Sequence, residues 1–306
     1  MEKMYFIGVT TAQSIINKIF PVWKKTLGHQ LELVGIDIPL SGDKEIYRDI
    51  VLEMKKSTDI RGALVTTHKI PMYESSKDLF HDLMESSIDF CEIGCIFKRN
   101  ERLIGEATDV VTVKSAFEEI WQQSKRDSFS SIDACILGCG GAGVALGYAL
   151  LTSGYKTIRR IILTDMSEDR VVNAKQLLSK YDTDDKLMFY KNYDTNDTDM
   201  IVESLLEGSV LINATGMGKD RPGSPISCNV HFPLHSCIWE YNYRGELNFL
   251  QYAHAKENDC ALQIFDGFRY FLYGWTTVIS RVINKEIDSQ LFDILAKQAT
   301  EIVFNR

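Results

Sequence analysis

Residues 134–144, Ala-Cys-Ile-Leu-Gly-Cys-Gly-Gly-Ala-Gly-Val, carry the pattern that decides the fold. A short apolar run, 134–137, enters Gly138-Cys139-Gly140-Gly141-Ala142-Gly143, and a helical stretch, 144–152, leaves it. Gly138, Gly140 and Gly143 stand at the spacing of GxGxxG. Each glycine has its own task there: a tight reversal, close approach of backbone to a pyrophosphate, and close packing of helix on strand. The helix start then offers unpaired amides and a positive dipole end to phosphate. Gly138, Gly140, Gly141, Ala142 and Gly143 are therefore candidate cofactor-binding residues. The next apolar run ends at Asp165, twenty-two residues past Gly143, where an acid accepts hydrogen bonds from a ribose. A carboxylate there repels a 2′-phosphate, which favours NAD, while Arg170 close by keeps NADP allowed. Asp165 equally suits a helix cap before Ser167-Glu168-Asp169.

Outward from this turn, short β-branched runs alternate with amphipathic stretches, the pattern of an α/β protein with largely parallel sheets. Upstream, strands are expected at 4–9, 31–38, 62–67 and 90–98, and helices at 15–27, 45–55, 78–86 and 110–123. Downstream, strands are expected at 160–164, 187–190, 210–213, 238–241 and 261–265, with closing helices at 268–283 and 290–304. The polar stretch 122–131 looks like the approach to a second domain. A chain of 306 residues has room for two such domains.

A net charge of −8 argues against nucleic acid as the partner. Seven cysteines, with no zinc-site spacing, suggest reduced thiols and no metal. No apolar stretch reaches membrane-spanning length and no signal peptide is visible, so a cytoplasmic protein with a small-molecule substrate is expected.

Three further segments stand out: Gly62-Ala-Leu-Val-Thr66-Thr-His-Lys69, Gly105-Glu-Ala-Thr-Asp109 and Asn213-Ala-Thr-Gly-Met217. With the glycine turn, in this order and spacing over about residues 4–283, they resemble the shikimate/quinate dehydrogenase family. The resemblance implies an N-terminal α/β substrate domain (1–108), a Rossmann-type NAD(P)-binding domain (109–266), and C-terminal helices (267–306) packing back on the substrate domain. It matches Lys69 and Asp109 to the family's catalytic lysine and aspartate. Ser14, Thr66 and Tyr243 match substrate-binding positions, and Tyr270 joins them from the last-but-one helix. Thr215, Gly216, Met217, Tyr241 and Gly267 fall to the cofactor. A lysine beside a carboxylate suits removal of a hydroxyl proton as hydride leaves the carbon. Surface charge is the alternative for that pair, and core packing for the aromatics. His68 either donates to a substrate oxygen or faces solvent, and Arg244 suits a carboxylate.

The departures from the family are as informative. Ile16 replaces the second serine of a Ser-x-Ser pair, and Leu64 and Ala107 replace asparagines. Gly94-Cys95 stands near an expected Asn-Thr, and Gly274 replaces a glutamine. Each change removes a hydrogen-bonding group from a ring-polyol pocket. The expectation is an NAD(P)-dependent alcohol dehydrogenase, monomer or homodimer, acting on a small cyclic polyol or hydroxy acid. A true shikimate or quinate dehydrogenase with a rebuilt pocket is one alternative, and a catalytically idle dinucleotide sensor is another.

Overall fold

A computed structural model describes residues 1–219 and 221–304. The chain divides into two compact units, Met1–Thr108 with Gly274–Arg306, and Asp109–Tyr273. Both are α/β.

The first unit runs β1 (Glu2–Gly8), α1 (Ile16–Leu27), β2 (Leu31–Asp37), α2 (Lys44–Lys56), β3 (Ile60–Val65), α3 (Lys69–Ser76), β4 (Asp82–Leu83), α4 (Glu85–Phe90), β5 (Cys95–Arg99) and β6 (Arg102–Glu106). Its six-stranded sheet has the order β2-β1-β3-β5-β6-β4. β1 pairs in parallel with both β2 and β3, whereas β5 runs antiparallel to β3 and β6. Tyr5, Ile7, Tyr47, Val51, Met54 and Ile96 are buried in one core cluster.

Two expectations fail in this unit. Residues 78–86 are not a helix, because their backbone is drawn to the sheet: His81 and Met84 amides donate to Leu103 and Gly105 carbonyls at 2.9 Å each. The strand expected over 90–98 begins only at Cys95, and β6 follows it through a tight hairpin. Asn100 and Glu101 both have positive φ, 49° and 62°, at that turn. Without glycine there, the hairpin signal in the sequence is weak.

The second unit runs α5 (Asp109–Gln123), β7 (Ile132–Leu137), α6 (Gly141–Thr152), β8 (Ile158–Asp165), α7 (Glu168–Leu178), β9 (Leu187–Lys191), α8 (Thr195–Glu203), β10 (Val210–Asn213), β11 (Cys237–Glu240), α9 (Asn248–Ala255), α10 (Glu257–Cys260) and β12 (Gln263–Phe265). Its sheet, β12-β11-β10-β7-β8-β9, is parallel throughout. That is the doubly wound order, with the chain reversing direction across the sheet between β7 and β10. The polar stretch 122–131 lies inside this unit, between α5 and β7. Arg126, only 3% exposed, ties it to the carbonyls of Ser124, Gly208 and His235.

α11 (Phe268–Ile283) and α12 (Ser289–Phe304) end the described chain. The residues from Gly274 onward belong to the first unit, where the Trp23 indole Nε1 donates to the Leu295 carbonyl at 2.9 Å. No helix among the described residues is long and apolar enough to cross a membrane.

Candidate active site

In the second unit, the open ends of β7, β8 and β10 lead into a cavity of about 330 Å³ lined by Gly138, Asp165, Asn192, Thr215, Met217 and Arg221, among others. It lies where the strand order reverses, the place where open parallel sheets bind ligands. The glycine turn at its edge has a distinct reason for each glycine. Gly138 has φ +110°, and a Cβ there would meet the Ala214 backbone at 2.9 Å. A Cβ on Gly143 would overlap the Gly138 carbonyl oxygen, so helix and strand meet only without it. Gly140, which caps α6, has nothing within 4 Å of a Cβ position. The protein's own packing does not require glycine at 140. Open space above a helix start does, if phosphate is to come close to the backbone.

Asp165 lies on the cavity wall, but its oxygens have protein partners. One accepts from the Cys139 amide and the other from the Ser167 amide, both at 2.9 Å. The helix cap is Ser167, whose side chain accepts from the Arg170 amide. Asp165 thus holds the glycine turn in place, and Arg170 stands 3.8 Å from it. Sequence reasoning missed Asn192, just beyond β9. It is 4% exposed and donates to Thr198 Oγ1 at 2.7 Å, while its own carbonyl oxygen is buried without a partner. An orphaned acceptor on the cavity wall suits a donor on a ligand. The signal was available: a polar residue immediately past the end of a strand in the dinucleotide-type sheet. Together, the open cradle at Gly140 and this acceptor fit a dinucleotide.

Gly216, Tyr241 and Gly267 do not line the cavity. A Cβ on Gly267 would overlap the Tyr241 carbonyl oxygen, so this glycine lets the chain pass against the end of β11. Tyr241 stacks beside Trp239 and Tyr270 at 4.4 and 4.7 Å between ring centroids, with its hydroxyl buried and unpartnered. Burial, and after it the nearby Tyr270 and Asp109, push its phenol well above the ordinary range. Asp109 opens α5, where its charge favours the helix dipole. Tyr243 packs on Phe271 at 4.6 Å, and Arg244 is exposed. The Tyr273 hydroxyl donates to Glu119 at 2.8 Å.

In the first unit, Ser14 and Thr66 follow the ends of the neighbouring parallel strands β1 and β3. The Thr66 hydroxyl donates to the Ile7 carbonyl at 3.1 Å. A Cβ on Gly8 would come within 2.8 Å of that hydroxyl, so glycine at 8 makes room for it. Lys69 is half-buried at the first position of α3. An ammonium at that end of a helix opposes the dipole. Its Cε lies 3.6 Å from where a Cβ on Gly94 would be, so the side-chain stem occupies the room that glycine leaves. His68 is neither exposed nor available: it is 1% exposed, Nε2 donates to the Ile38 carbonyl at 2.9 Å, and Nδ1 faces the Tyr47 hydroxyl at 2.9 Å. Among the described residues no cluster suits a metal ion.

No family model matches the chain. It is 23% identical over 261 residues to the shikimate dehydrogenase (NADP(+)) of Pyrococcus furiosus, covering 84% of this chain and 82% of that protein. The fold matches the quinate dehydrogenase of Corynebacterium glutamicum in complex with NAD, with TM-score 0.74, 16% identity, and coverage of 97% and 98%. It also matches the shikimate 5-dehydrogenase of Thermus thermophilus in complex with NADP(H) and shikimate, with TM-score 0.71, 18% identity, and coverage of 98% and 100%. The relatives the chain resembles are shikimate and quinate dehydrogenases, and it shares their fold.

The departures from those relatives have a structural logic. Leu64 on β3 is paired directly with Cys95 on β5. Paired residues on antiparallel strands face the same side, so the two positions where polar groups are expected form one apolar patch. Ala107 and Ile16 are fully buried. Ile16→Ser, which restores the family's serine, is therefore expected to lower stability by roughly 3 kcal/mol and gain no shikimate turnover. Thermal melts and a shikimate assay check this.

Proposed function

We propose that the protein is a nicotinamide-dependent alcohol dehydrogenase of shikimate dehydrogenase type, interconverting an alcohol and a ketone on a small ring hydroxy acid or polyol. The observation that carries this is the glycine turn: rigid at Gly138 and Gly143, open at Gly140, and set at the reversal point of a parallel sheet.

Residues 1–108 and the C-terminal helices supply substrate recognition, and residues 109–266 hold the cofactor. NAD is the favoured dinucleotide because Asp165 places a carboxylate on the cavity wall, with NADP accommodated through Arg170 and Arg221. The bound nicotinamide supplies the hydride acceptor. Lys69, as the neutral amine, takes the hydroxyl proton, the ammonium so formed stays beside the substrate oxygen, and Asp109 orients it. Ser14, Thr66, Tyr243 and Tyr270 contact the substrate, and Thr215, Gly216, Met217, Tyr241 and Gly267 shape the cofactor site. The Leu64–Cys95 patch favours a ring with fewer polar groups than shikimate on that side. Seven free thiols suit a reducing compartment, so we place the enzyme in the cytosol.

Reduction of NAD and NADP, followed with a panel of cyclitols and ring hydroxy acids, tests the reading. Turnover of a ring alcohol, faster with NAD than with NADP, is expected. Tight NAD binding without turnover of any member would make the protein an idle sensor.

A further inference from the structure

Glu240, at the end of β11, is a fully buried carboxylate that the proton-transfer chemistry does not use. Its Oε2 accepts from Asn213 Nδ2 at 2.6 Å. Its Oε1 accepts from the Asn242 amide at 2.8 Å and from Asn242 Nδ2 at 2.6 Å. Each asparagine passes the constraint on. Asn213 Oδ1 accepts from the Thr215 amide at 3.1 Å and its hydroxyl at 2.6 Å, and Thr215 Oγ1 accepts from the Met217 amide at 3.1 Å. Asn242 Nδ2 also reaches the Met217 carbonyl at 3.3 Å, and the Asn242 carbonyl accepts from the Gly267 amide at 3.1 Å. One carboxylate thereby fixes the loop that lines the cavity and the turn that carries Gly267.

We propose that Glu240 is a positioning residue for dinucleotide binding, acting in its ionised form through Asn213 and Asn242 on Thr215, Met217 and Gly267. The proposal rests on the dinucleotide reading above. An ionised carboxylate only accepts, which matches the three N–H donors it faces. Protonation turns one oxygen into a donor, so an asparagine must rotate or lose its bond. Burial pushes this carboxyl up to about 7, with the hydrogen bonds from Asn242 and Asn213 and the charge of Lys219 opposing it. Lys219 is the charged group whose field bears on it, and the asparagines are neutral. The working form is therefore lost as pH falls through about 7.

The test combines NADH titration from pH 6 to 8.5 with amide hydrogen exchange on the ligand-free protein at pH 8. Wild-type affinity should fall below neutrality, approaching about tenfold per pH unit. Glu240→Gln should bind weakly and show no such dependence. In that variant the Thr215, Met217 and Asn242 amides should exchange at least about tenfold faster, with the β7 and β8 amides still protected. Wild-type exchange rates in E240Q, or an E240Q affinity that follows pH as the wild type does, would overturn the proposal. If E240Q does not fold, Glu240→Asp serves: the shorter acid cannot reach both asparagines, so unchanged exchange in both loops overturns it too. A wild-type protein that binds no dinucleotide refutes the function reading instead, and the exchange comparison still decides the role of Glu240.

Discussion

Replacing Lys69 by methionine is expected to cut turnover by roughly 10²–10⁴-fold while leaving dinucleotide affinity unchanged. Methionine keeps much of the stem that lies over Gly94 and removes only the ammonium, so the loss reports proton transfer rather than packing. In the proposed oxidation the hydroxyl proton passes to the lysine nitrogen as hydride leaves the same carbon. Without that nitrogen the alkoxide must form unassisted or give its proton to water. α3 should be slightly more stable in the variant, because a positive charge leaves the positive end of its dipole. Pre-steady-state reduction of NAD, with affinity measured separately, checks the prediction. A variant that retains wild-type turnover would remove Lys69 from the mechanism.

Gly140→Val is expected to weaken dinucleotide binding by about 100-fold, roughly 2.7 kcal/mol, with the fold intact. A Cβ on Gly140 meets nothing within 4 Å apart from its chain neighbours, so a side chain there starts into the room a pyrophosphate needs. Gly143→Ala should behave in the opposite way. Its new methyl runs into the Gly138 carbonyl oxygen, a backbone atom that cannot swing aside. The expected result is a loss of stability of about 3 kcal/mol or more. Two glycines three residues apart thus separate ligand space from packing space. Isothermal titration and thermal melts on both variants read this out. An unaltered affinity in Gly140→Val would place the phosphates elsewhere.

The second unit was the more legible of the two. Its strands β7, β10 and β11 are buried along their whole length, so they appear as short apolar runs, and local turn chemistry marks the crossovers. The first unit defeated the same reasoning at residues 78–106. There a two-residue strand depends on β6 further along the chain, and the hairpin turn lacks the glycine that would mark it. His68 shows the same limit on a smaller scale. Beside Lys69 it looks functional, and only the fold places Tyr47 and Ile38 against its ring. Ile16 looks like a lost substrate ligand, and only burial shows that a serine there would be stranded.

The glycine turn and its phosphate logic are written in local pattern, because spacing along the chain sets backbone geometry over a few residues. Asp165 shows where that ends: as an acid after a strand it suggests a ribose ligand, yet folding also makes it the clasp of the turn itself. Asn192, the Leu64–Cys95 patch and the Glu240 network exist only as tertiary neighbours. Burial and pairing between distant strands decide which polar group lacks a partner, which carboxyl is hard to ionise and which wall turns apolar. No period in the sequence encodes those contacts.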